Sequence, residues 1–280
     1  MNRREFVGAA AGLALGSAAS AQHPRRPPVA LVLGGGGCRG YGHIGVLRVL
    51  EREGLRPDLV VGSSAGSLVG VLHAAGLSSG DIERLGARLS PNTLRDWVFP
   101  NLGVFSGAGI ARFVRTQVGG RRIETLPVRF AAVATDLRTG ERVILDQGDA
   151  GEAVQASSSA PGLLEPVRRG GRLLVDGNIA SPVPVETARR LGAKRVLAVD
   201  VTFPPGQADL DDPFDALYQG FSILTRKLAM EERASADVAL EPPIPEHQDM
   251  SPRVVAEHIA AGERAASAAL PGIRRLFEQM

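Results

Sequence analysis

A single cysteine, Cys38, occurs in 280 residues, so no intramolecular disulfide can form. No C-x-x-C pair or Cys/His cluster has the spacing of a metal site, and no metal is expected. An excess of one charge is also lacking. Thirty-two Lys and Arg face 30 Asp and Glu, a formal net charge of +2, so a nucleic-acid partner is not expected. Nearly all the cations are arginine. No internal repeat, low-complexity tract or inter-domain linker interrupts the chain. The apolar run from Phe6 to Ala19 is, at about 14 residues, too short for the ~20 that span a bilayer. What remains is 44% hydrophobic residues, ample for a large buried core.

The start of the chain reads differently from the rest. Arg3 and Arg4 precede the apolar, small-residue run, and Ala19-Ser20-Ala21 follows as an A-x-A cleavage pattern. The N-R-R-E-F-V opening resembles a twin-arginine export signal. Residues 1–21 are therefore expected to be a signal peptide, which implies a periplasmic or secreted protein. The Pro/Arg-rich residues 22–28 are a linker, and residues 29–280 the folded domain.

Within that domain, aliphatic runs alternate with helical spacing. VALVL (29–33), PDLVVG (57–62), VRFAAVATDL (128–137), RLLVDGN (172–178) and RVLAVDVT (195–202) read as buried strands. ERVILDQG (141–148) reads as a strand paired with 128–137 across a Thr-Gly turn. DVALEPP (237–243) reads as a last strand. Helical spacing follows the first two strands, with Gly54 as a C-cap and Ser79 or Asp81 as N-cap candidates. It recurs over 77–89, 107–119, 184–193 and 211–236, with a start at 152 that stops at Pro161, and one closing helix runs over 252–277. The alternation predicts an α/β layered domain with a mostly parallel central sheet flanked by helices.

GSSAGS (62–67) fits G-x-S-x-G, a serine on a sharp strand-to-helix turn. The central position favours Ser64 over Ser63 as nucleophile; Gly62 and Gly66 permit the turn and close packing. A serine hydroxyl needs a base. His23 lies in the linker, and His73 sits too far along its helix. His43 follows the glycine run, and His247 and His258 come late in polar surroundings. Only one strand precedes the serine turn, unlike an α/β-hydrolase. A carboxylate is the alternative. Asp176 ends a buried strand, and Asp136 and Asp200 hold similar strand-end positions.

GGGGCRG (34–40) also joins a strand to a helix. Gly35, Gly37 and Gly40 satisfy G-x-G-x-x-G, but the second strand ends in GSSAG where dinucleotide sites place an acid. Four consecutive glycines are entropically costly for a plain turn. The remaining reading is an oxyanion hole of backbone amides from Gly35, Gly36 and Gly37 beside Ser64. Arg39 either adds positive charge there or anchors the loop.

Taken in order, GGGGCRG-x-x-H-x-G-V-L, GSSAGS, ASSSAPG (156–162) and VDGN (175–178) with PVPV (182–185) resemble the patatin-like phospholipase family, in its short bacterial single-domain form. The likeness runs from Val29 to about Val201, and more loosely to the C-terminus. It implies a three-layer patatin-like fold and a Ser–Asp dyad of Ser64 and Asp176. It also implies an oxyanion hole at Gly35–Gly37, supported by Arg39, Gly40, Gly62, Gly66 and Gly177. The implied activity is cleavage of lipid acyl esters, as a phospholipase A or lysophospholipase, without cofactor. The other readings are a thioesterase or small-ester esterase with the same dyad, or a non-catalytic binding protein. One departure from the family is Asn178, where Gly or Ala is usual. Trp97, Val98, Phe99, Leu102, Val104 and Phe105 form an apolar cluster, read either as a lid or peripheral membrane contact or as a cap on the core.

Overall fold

A computed structural model describes residues 28–87, 102–204, 211, 213–245 and 250–278. The expected signal and nearly all of the linker lie outside these residues. Among the described residues, ten strands run in chain order: β1 Val29–Leu33, β2 Leu59–Ser63, β3 Gly103–Phe105, β4 Arg129–Asp136, β5 Arg142–Leu145, β6 Gly162–Leu164, β7 Val167–Arg169, β8 Arg172–Asp176, β9 Arg195–Val199 and β10 Val238–Leu240. The helices are α1 Tyr41–Arg52, α2 Ala65–Ala74, α3 Ser79–Gly86, α4 Ala108–Gln117, α5 Ala150–Ser157, α6 Val185–Arg190, α7 Pro213–Arg233, α8 Pro252–Ala268 and α9 Leu270–Phe277.

The central sheet has the order β10-β9-β1-β2-β4-β8-β7. From β10 to β4 every pairing is parallel; β8, β7 and β5 join antiparallel. All five residues of β1 are buried because both faces of the sheet are covered. Val29, Leu31 and Leu33 face a core shared with Ile44 and Leu47 of α1 and Ile259 of α8. Ala30 and Val32 face the other, against Val185 and Ala188 of α6 and Ala229 of α7. The result is the expected three-layer α/β architecture.

Register along β4 fixes the centre of the molecule. Ala132 and Val133 pair with both β2 and β5, so those strands lie on opposite edges of β4. Ala134 and Thr135 pair with both β5 and β8, so β8 shares the edge used by β2. β2 and β8 therefore run toward each other along one edge and meet end to end.

Several sequence expectations need correction. The closing helix is two helices, because Pro271 has no N–H to continue the ladder of α8. The cap of α3 is Ser78, with Asp81 as its reciprocal capping-box partner. The short strands β3, β6 and β7 carry no readable alternation, and long-range pairing alone defines them. Among the described residues, no helix is long and apolar enough to cross a membrane.

Candidate active site

β2 delivers the chain to Ser64 at φ 50 and ψ −122, the only non-glycine residue with positive φ among those described. Such a conformation costs on the order of 1–3 kcal/mol and needs support from its surroundings. Gly66 gives the turn room, since a Cβ there would lie 2.0 Å from the Leu33 carbonyl oxygen. Ser157, at the end of α5, gives it a partner. The Ser64 N–H donates to Ser157 Oγ at 3.0 Å, and that hydroxyl donates to the Val133 carbonyl at 2.6 Å. The strained residue is thus tied to β4 through one buried serine.

The head-on meeting of β2 and β8 brings the acid to the alcohol. Ser64 Oγ donates to Asp176 Oδ2 at 2.8 Å, and both residues are buried. The Asn178 N–H donates to the other carboxylate oxygen at 2.9 Å. The Thr135 hydroxyl donates to the Asp176 carbonyl at 2.8 Å and fixes the strand end. Burial pushes the Asp176 carboxyl up to about 6, against the opposing pull of the Asn178 N–H and the Ser64 hydroxyl. The group is still ionised near neutrality, and poised to take a proton.

The glycine turn lies on the other side of Ser64. The Gly35 N–H donates to the Pro182 carbonyl at 3.0 Å. That narrows the expected trio of amides to Gly36 and Gly37, which have no backbone acceptor among the described residues. Gly37 has φ +51, a conformation that glycine adopts without strain. A cavity of ≈ 260 Å³ and another of ≈ 230 Å³ both reach Gly37, Ser64 and Ser158, so the serine stands where two cavities meet.

A model of the patatin-like phospholipase family matches residues 31–189, which include the glycine turn, Ser64, Ser157 and Asp176. The chain belongs to the patatin-like phospholipase family. An uncharacterised NTE family protein of Mycobacterium tuberculosis is 38% identical over 178 residues, 62% of this chain and 49% of that one. Human patatin-like phospholipase domain-containing protein 6 is 35% identical over 208 residues, 71% of this chain and 15% of that one. The chain thus spans about half, or far less, of these relatives. In fold it is similar to VipD from Legionella pneumophila, with TM-score 0.54 at 14% identity over 88% of this chain and 67% of that one. It is also similar to the type III effector ExoU, with TM-score 0.50 at 16% identity over 91% of this chain and 54% of that one.

The rival residues serve elsewhere. Asp200 pairs with Arg226 and Arg233, each at 3.0 Å, and caps Thr202. Asp136 accepts from the Arg138 N–H in its own turn. His43 is fully buried, and its Nε2 donates to the Gly34 carbonyl at 2.8 Å; burial pushes it down to about 4, so it is neutral. His73 lies on the last turn of α2, and His258 Nδ1 is 3.2 Å from the Cys38 carbonyl oxygen. His23 and His247 lie outside the described residues. Ser63 is buried, and its hydroxyl donates to Asn178 Oδ1 at 3.3 Å. Arg39 anchors: its guanidinium is buried, donates to the Val201 and Ile244 carbonyls, and lies over the Phe203 ring.

At Gly40, Gly62 and Gly177 an added Cβ would meet Ala65, Ser67 and Val133 at 2.7, 2.5 and 2.2 Å respectively, so all three are sites of close approach. Asn178 presses its side-chain amide against Gly35, where an added Cβ would lie 1.9 Å from its Oδ1. In the apolar cluster, Trp97 to Asn101 lie outside the described residues, Phe105 is buried, and Leu102 is exposed. Among the described residues no group of His, Cys, Asp and Glu is set to hold a metal. Sequence reasoning passed over Ser157 and Thr135. Ser157 sits in the quoted ASSSAPG motif, but no local pattern says that it reaches the Ser64 amide.

Proposed function

We propose that the protein is a serine acyl hydrolase that cleaves lipid acyl esters through a Ser64–Asp176 dyad. The 2.8 Å hydrogen bond from Ser64 Oγ to a buried carboxylate carries this reading. Asp176 takes the Ser64 proton as Oγ attacks the ester carbonyl. The Gly36 and Gly37 amides hold the charge that develops on the carbonyl oxygen; one such donor is typically worth on the order of 3 kcal/mol. The bond to the alcohol oxygen breaks, Asp176 returns the proton to that oxygen, and an acyl-serine remains. Asp176 then deprotonates a water, which attacks the acyl carbon, releases the fatty acid and restores Ser64.

A Debaryomyces hansenii relative, 35% identical over 179 residues, is named a lysophospholipase, which favours a lipid substrate. Two measurements test the proposal: labelling of Ser64 by a fluorophosphonate, and fatty-acid release from a lysophospholipid. Labelling with release is the expected result. Absence of both would return the chain to the binding-protein reading.

Export of the chain is part of the same proposal. It rests on Arg3, Arg4, the apolar run and the Ala19-Ser20-Ala21 pattern. N-terminal sequencing of protein recovered outside the cytoplasm should begin at Gln22, and an intact Met1 there would refute cleavage.

A further inference from the structure

We infer that the two cavities divide the ester at Ser64: the acyl chain lies in the cavity beneath α2, α3 and α4, and the alcohol in the cavity walled by Asp176 and α7. This division rests on the acyl-hydrolase reading above.

The proton fixes the sides. The base that takes the Ser64 proton hands it to the departing alcohol oxygen, which must lie within about 3 Å of the carboxylate. Asp176 lines the ≈ 230 Å³ cavity and is absent from the wall of the ≈ 260 Å³ one. The leaving oxygen therefore points into the former. The acyl substituent on the same tetrahedral carbon points away from it, past Ser64 and Gly37 into the latter.

The walls agree with that assignment. Ile44, Leu68, Leu72, Ile110 and Phe113 line the larger cavity, and no charged side chain does so among the described residues. The other cavity adds Asn178, Ser222 and Thr225 to its aromatic wall, polar groups suited to an alcohol that carries further hydroxyls.

The test uses the full chain and two ratios of kcat/KM: p-nitrophenyl decanoate over butyrate, and monodecanoylglycerol over p-nitrophenyl decanoate. Leu68 is half-buried on the cavity wall, so Leu68→Trp fills space without opening the core. It should lower the first ratio at least about tenfold. Phe113→Ala, which enlarges the same cavity, should raise it. Phe221→Ala, on the α7 wall of the other cavity, should shift the second ratio several-fold and leave the first within about twofold.

A chain-length change in Phe221→Ala with none in Leu68→Trp or Phe113→Ala would reverse the assignment. Unchanged ratios in all three would overturn it. Fluorophosphonate labelling of each variant separates these outcomes from failure of the dyad. A wild type that is inert to every ester and to the probe would remove the hydrolase reading and the division with it.

Discussion

Ser63 and Asp176 occupy consecutive positions along one edge of β4: Ser63 pairs with Val133, and Asp176 with Ala134. Two strands running toward each other thus end one step apart. The residue after Ser63 is the serine of the sharp turn. Its hydroxyl meets the carboxylate at 2.8 Å, with one short side chain from each strand closing the gap.

That short reach predicts intolerance of a longer acid. Asp176→Glu should lower kcat about 10²-fold or more, because the extra methylene has no space between two strand ends. Asp176→Asn should lose about 10³-fold or more, and Ser64→Ala all dyad-dependent turnover. Stopped assays with p-nitrophenyl butyrate, beside circular dichroism to show folding, check the series. Full activity in Asp176→Asn would place the base elsewhere.

Activity should follow the ionisation of one buried carboxyl. Asp176 must be deprotonated to accept the Ser64 proton, and burial holds its pKa at about 6. kcat/KM should therefore rise with pH, bend near 6 and level off above 7. A profile flat from pH 5 to 8 would contradict the role of this group.

Stability should run the opposite way. The folded Asp176 holds its proton more tightly than the unfolded chain does, because its pKa of about 6 exceeds the reference value of 3.8. Its contribution to stability is fully present below about pH 4 and is lost as pH rises through 6. Replacing it with an uncharged isostere relieves that loss. Asp176→Asn should stabilise the fold at pH 7.5 by on the order of 2 kcal/mol, and by much less at pH 4. Thermal melts at the two pH values measure the difference.

On the proposed mechanism, Ser157 is a positioning residue for Ser64. In Ser157→Ala the buried Ser64 N–H loses its acceptor, at a cost of about 1–3 kcal/mol. kcat and the rate of fluorophosphonate labelling should fall together while KM changes little. Ser157→Thr, which keeps the hydroxyl, should recover much of the loss. A variant that melts earlier yet labels at the wild-type rate would limit Ser157 to a structural role.

His43 should be dispensable as a base. It is buried, neutral and engaged with the Gly34 carbonyl. His43→Gln, which retains a donor, should keep the inflection near pH 6. Movement of that inflection would implicate the imidazole. His43→Ala should destabilise the fold, since the Gly34 carbonyl loses its partner.

Much of this was legible along the chain because the signals are local. Unbroken aliphatic runs marked β1, β2, β4, β8 and β9, and G-x-S-x-G marked the strand-to-helix turn at Ser64. The break before α9, the Ser78 cap and the three short strands were missed or misplaced. A proline inside a helical pattern, a cap one residue from another candidate and a strand of three residues are weak signals on their own.

Sequence alone determined the elements, their α/β alternation, the sharp turn at Ser64 and the family likeness, all set by neighbours a few residues apart. The tertiary structure decided what lies beside Ser64. Asp176 is 112 positions away; spacing alone left it beside Asp136 and Asp200, the family likeness pointed to it, and the shared edge of β4 is what brings it to Ser64. The same holds for Ser157, for the Pro182 carbonyl that engages Gly35, and for the two cavities. Each depends on strand register and helix placement, which follow from burying the whole sheet at once rather than from any local pattern.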